Sequence, residues 1–217
     1  MDIDFIMSLV PPLLKGSLLT IELTIVSVFF GMIFGLFLAL GRLSKNKVID
    51  RLSWFYVWLF RGTPLLMQIF FIYYALPMIY PPLTLPQMPA AFIALALNSA
   101  AYLAEIIRAA IQSIDKGQME AAKALGMGYG QAMKRIIVPQ SYRRLIPPVG
   151  NEFIALLKDS ALVSVIGMTE LMRTTSVMAN SSGNAIIYIP AAILYLIMTT
   201  LFTYVFDKLE KKYSVYE

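Results

Sequence analysis

The chain has 217 residues, 59% hydrophobic and only 14% charged, with a mean hydropathy of +0.70 and a formal net charge of +5. A soluble domain carries roughly a quarter charged residues, so the solvent for this one is largely lipid. With no cysteine and no histidine, disulfides and thiol chemistry are excluded, and the commonest general base and metal ligand is missing.

A membrane-crossing helix needs about 20 apolar residues, and five segments qualify. The first, 17–40, is interrupted only by Glu22 and carries Gly31 and Gly35 at the small-xxx-small spacing. That spacing fits close helix packing, or nothing more than a lipid-facing surface. The second, 64–80, follows an aromatic run at 54–60 that would extend it below the bilayer. Arg61 is expected to snorkel to the inner surface there, and Pro64 suits a helix start or a kink. The third is 89–111, the fourth 149–171 (the most polar), and the fifth 185–206. The fold class is therefore all-α: a single polytopic membrane domain over 1–217 with five transmembrane helices.

Loop charge gives the orientation. Segments 42–51, 116–144 and 208–212 hold thirteen of the eighteen Lys and Arg, all on one side of a five-span arrangement, whereas the opposite loops hold only Arg173. The positive-inside rule places that basic side in the cytoplasm, with the N-terminus outside and the C-terminus inside. Charge distributed in this way marks a membrane protein and not a nucleic-acid binder.

Ionisable groups inside a span are expensive and mark function by default. Asn98, Tyr102 and Glu105 recur at i, i+4 and i+7, so they share a face of the third span. Glu152 and Asp159, seven apart, share a face of the fourth, beside Lys158 and Ser160. Two polar faces at matching depth predict a small wet cavity between these spans. Glu152 has no cation one turn away, which makes it the candidate for a substrate's positive charge. Asn98 and Ser160 are candidate partners for a substrate's backbone groups, with Asp159 and Tyr102 beside them. The competing reading is a satisfied helix–helix network, with Glu105 paired to Arg108 and Lys158 to a carboxylate.

The long polar segment 112–148 reads as two short helices. The first, "GQMEAAKAL", ends at Gly126 and the second, "YGQAMKRII", stops before Pro139. The pattern Glu120-Ala121-Ala122, then Gly126, then Val138-Pro139 resembles the EAA loop of bacterial ABC-importer permeases, with Val138 where that family usually has leucine. "RGTPLLMQIFFIYYALP", "YLAEIIRAAIQSIDKGQMEAA" and "NEFIALLKDSALVSVIGMTEL" resemble its polar amino-acid branch, of the histidine/glutamine/arginine type. Ser160-Ala161 departs from the Thr-Ser common there.

The resemblance implies the rest of the machine. Glu120, Ala121, Ala122 and Gly126 would dock a cytoplasmic ATP-binding subunit. A second permease subunit, identical or not, would complete the path, and an extracytoplasmic solute-binding protein would deliver a polar amino acid. Neither a catalytic set, a metal nor a cofactor is expected, and the chain has no G-x-x-x-x-G-K-[ST] phosphate loop of its own. The location implied is the bacterial plasma (inner) membrane. The intramembrane carboxylates tip the substrate toward arginine, lysine or histidine. The alternatives are a glutamine/glutamate-type permease and an ion-coupled secondary transporter, although no internal repeat of the kind common in the latter is visible.

Overall fold

The computed structural model describes residues 3–213 and is helical throughout its regular structure. The helices are α1 (Ile3–Arg42), α2 (Lys47–Gly62), α3 (Leu65–Ile79), α4 (Gln87–Gln112), α5 (Lys116–Ala124), the single turn α6 (Tyr129–Ala132), α7 (Val138–Asp159), α8 (Leu171–Ser182) and α9 (Tyr188–Tyr213). Among the described residues, three helical segments are long and apolar enough to cross a membrane alone: Met7–Arg42, Gln87–Gln112 and Ala185–Tyr213. The pair α2 and α3 makes a fourth if it is read as one bent span.

The central element is α4, which packs against α1, α2, α3 and α7. Its alanines allow this close approach: Ala91, Ala94, Ala100, Ala101 and Ala104 are fully buried. The α1–α4 contact is the most extensive in the molecule, and Gly31 and Gly35 sit on it. A Cβ on Gly35 would lie 3.0 Å from the Ala100 carbonyl oxygen and from Leu103 Cβ. The glycine pair therefore packs helices together and does not face lipid. On the other side, α7 packs against α9 through Phe153, whose ring lies 4.5 Å from that of Phe202, and through Gly150 against Phe206.

Four expectations are corrected. The aromatic run does not extend the second span as a straight helix, because α2 and α3 meet at a bend of 104°. Thr63 and Pro64 are both extended there. The helix after Gly128 does not stop before Pro139 but runs on into α7. A π turn at Met133–Ile137 precedes that proline, just as one at Phe71–Ala75 precedes Pro77. A widened turn relieves the clash of the ring with the carbonyl four residues back. The fourth segment is not one helix over 149–171. Helix α7 starts at Val138, a 3₁₀ stretch follows at Ser160–Ile166, and the chain reverses at Gly167, which has φ +87°. Finally, much of the expected outer loop is helix α8, closed by Gly183 at φ +63°.

Candidate substrate cleft and coupling loop

The α2–α3 bend creates the site. The carbonyl of Phe60 would normally accept from residue 64, but Pro64 has no N–H to give. The Gln68 amide takes that place, with Nε2 donating to Phe60 O at 2.9 Å and to Thr63 O at 3.1 Å. Asn98 on α4 donates to Gln68 Oε1 at 3.0 Å and to Phe60 O at 3.4 Å. A broken helix is thus stitched to α4 by two buried amides.

Beside the stitch lies a cleft of ≈ 570 Å³. Asn98, Tyr102, Glu152 and Asp159 all line it, together with Arg61 and the Gly62–Pro64 bend. Four of the five candidate substrate residues therefore come together between α4 and α7. The fifth, Ser160, does not join them. It is fully buried, and its hydroxyl donates to the Leu157 carbonyl at 2.8 Å, closing the end of α7. Glu152 lines the cleft and accepts a hydrogen bond from Ser99 Oγ at 3.0 Å. The Arg61 guanidinium lies 5.3 Å from the centre of the Tyr102 ring, where the ring face attracts a cation.

A second cleft of ≈ 380 Å³ adjoins the first through Arg61, Gly62 and Tyr102. Glu105 lies on it as the hub of a charge network. Arg108 binds Glu105 in a fork with the shortest contact at 2.6 Å, Arg42 Nε stands 3.8 Å away and Arg61 4.0 Å away. Arg42 also pairs with Asp50 of α2. This network ties α1, α2 and α4 together at their basic ends.

Two buried groups escape sequence reading. Gln68 is one; a lone glutamine in "LLMQIFF" was the available signal. Glu170 is the other. It is fully buried and caps α8, accepting from Arg173 N at 2.6 Å and Met172 N at 2.8 Å. Thr20 on α1 and Tyr195 on α9 donate to the same carboxylate. A carboxylate inside the apolar segment 149–171 was the signal that could have found it.

The candidate docking segment has a defined geometry. Asp115 caps α5 by accepting from Gly117 N at 2.7 Å. The helix ends at Gly126, whose φ is +79°, with Met127 N donating to Ala122 O at 3.0 Å. This is the six-to-one bond of a left-handed glycine cap. Glu120, Ala121 and Gly126 are exposed, but Ala122 is 1% exposed and packs inside the chain. Its small size therefore serves α5's own seating, so it offers no surface for direct docking.

Comparison with known proteins gives the family of the chain. The family model "Binding-protein-dependent transport system inner membrane component" matches residues 31–215. The arginine transport system permease protein ArtQ of Bacillus subtilis (strain 168) is 38% identical over 215 residues, 98% of each chain. The putative glutamine transport system permease protein GlnP of Rickettsia typhi (strain ATCC VR-144 / Wilmington) is 39% identical over 204 residues, 94% of this chain and 93% of that one. A crystal structure of an amino acid ABC transporter with histidines superposes with a TM-score of 0.91 at 39% identity, covering 98% of this chain and 99% of that one. The chain belongs to this inner-membrane component family, as a multi-pass permease subunit of an ABC importer for polar amino acids, with ATP hydrolysis carried by a separate subunit.

Proposed function

We propose that the chain imports a basic amino acid (arginine, lysine or histidine) by alternating access, as one of two permease subunits of five spans each. The observation that carries the substrate reading is the cleft in which Glu152 and Asp159 share one wall with Arg61 opposite in charge. A basic amino acid has a cationic side chain and an α-carboxylate. Glu152 receives the first, Arg61 receives the second, and Asn98 and Tyr102 orient the molecule. Relatives named for arginine and for histidines support this choice, while the glutamine permease keeps a neutral substrate as the alternative.

The fifth span is α7. At 22 residues it is about 33 Å long, enough to cross a bilayer, but its charges keep it from looking apolar. Asn151, Lys158 and Asp159 are exposed on it. Exposed polar groups at membrane depth face protein or water and not lipid. A second permease subunit facing α7 accounts for them and turns the open cleft into a closed path. The basic loops then lie in the cytoplasm, where Glu120, Ala121 and Gly126 meet the ATP-binding subunit, and a solute-binding protein delivers substrate from outside.

The test is uptake into proteoliposomes holding this chain with its co-purified ATPase and binding protein. Arginine, lysine or histidine should be accumulated at the expense of internal-face ATP, with no response to an imposed proton or sodium gradient. Accumulation of glutamine in preference to all three would select the alternative, and gradient-driven uptake would refute the ATP-driven reading.

A further inference from the structure

A large concavity lies away from the substrate cleft. It is a groove of ≈ 1130 Å³ between α1, α4 and the α6–α7 segment. Its walls are apolar: Met32, Leu36 and Leu40 on α1, Ile107 and Ile111 on α4, and Leu145 on α7. The three α1 residues recur every fourth position, so they form one ladder about 12 Å long along the axis. That is most of the depth of one leaflet's hydrocarbon. The ladder ends just before Arg42 and the polar turn that closes α1, so the groove runs from the hydrocarbon up to the interface.

At that polar end the lining changes character. Lys45, Lys123 and Lys134 come from three different segments, with Ser44 beside them, and all three lysines are exposed. Tyr129 and Tyr142 also line the groove, exposed at 59% and 43%, as tyrosines do at the membrane interface. An apolar trough whose lining also carries three cations matches one molecule in shape and in charge. We propose that this groove binds a single anionic phospholipid, with an acyl chain along α1 and the phosphate among Lys45, Lys123 and Lys134.

The charge argues against a neutral lipid, because three cations lining one groove, none of them in an ion pair among the described residues, attract an anionic headgroup and only weakly a zwitterion. The site borders the surface proposed for the ATPase, because Lys123 lies one turn from Glu120 on α5. A lipid here would brace the segment that carries that surface against α1 and α4.

The full chain, purified in a neutral detergent, is titrated with phosphatidylglycerol, phosphatidylcholine or glycerol 3-phosphate and read by native mass spectrometry. One phosphatidylglycerol per chain should be retained, at least tenfold more tightly than phosphatidylcholine, and glycerol 3-phosphate should not displace it. Replacing all three lysines (Lys45→Gln, Lys123→Gln, Lys134→Gln) should weaken phosphatidylglycerol on the order of a hundredfold, at roughly fivefold per lysine, and abolish the salt dependence. A second variant, Gly130→Phe, fills the groove from a position where a Cβ meets nothing within 4 Å. It should weaken the lipid severalfold while the salt dependence persists. Equal binding of the two lipids, displacement by glycerol 3-phosphate, indifference to the triple variant, or a groove occupied by a second copy of the chain would each overturn the proposal. None of these outcomes depends on which amino acid is transported.

Discussion

Replacing Gln68 by leucine nearly keeps the volume of the side chain and removes every hydrogen bond that Gln68 makes in the stitch. In the structure Gln68 serves Phe60 O, Thr63 O and Thr63 Oγ1, and it accepts from Asn98. Orphaning a buried polar group costs about 1–3 kcal/mol. Phe60 O keeps a long bond to Asn98, at 3.4 Å, and Thr63 is only half-buried. The expected loss is therefore about 2–4 kcal/mol, below the sum of the separate penalties. Asn98→Leu removes one donor and leaves Gln68's amide on Phe60 O, so it should cost less, about 1–2 kcal/mol on the same scale. Because the two amides share a partner, the double variant should fall short of additivity by at least ~0.5 kcal/mol. Equilibrium unfolding in mixed micelles measures all three. Strict additivity, or a Gln68→Leu protein as stable as the parent, would refute the view that these amides replace the hydrogen bond Pro64 cannot make.

Two further outcomes follow from the coupling segment and the loops. Ala121→Phe should leave the permease folded but reduce retention of the ATPase by roughly one to two orders of magnitude, since overpacking a contact costs about 1–3 kcal/mol; Ala122→Phe should instead destabilise the permease itself, and pull-down beside a stability measurement separates the two. A single cysteine at Ser44 should resist an impermeant thiol reagent added from outside, while one at exposed Ser182 should react; the opposite labelling would reverse the orientation.

Much of the site was legible because helical periodicity alone placed it. Asn98 and Tyr102 on one helix, and Glu152 and Asp159 on the other, needed only 3.6 residues per turn to be put on facing surfaces. Gly126 was legible as a helix end for the same local reason. What sequence reading missed depends on partners far along the chain. Gln68 matters because of a carbonyl at Phe60 and an amide at Asn98, and Glu170 because of Thr20 and Tyr195 on other helices. Ala122 looked like surface because alanine is silent about which way it faces. Pro139 looked like a stop because a π turn that accommodates a proline leaves no mark in composition. Ser160 shared the depth of the cleft but spent its hydroxyl on its own helix, a common fate for serine near a helix end.

The central claim is that Glu152 meets the positive charge of the substrate. Glu152→Gln keeps the shape of the side chain, can still interact with Ser99, and removes only the charge. Uptake and substrate-stimulated ATPase activity of the reconstituted importer, compared for arginine and glutamine, test it directly. The account predicts a loss of arginine transport of tenfold or more, the scale of about 1.4 kcal/mol or more for one removed charge pair, with glutamine transport little changed. An unchanged preference between the two amino acids in Glu152→Gln would contradict it.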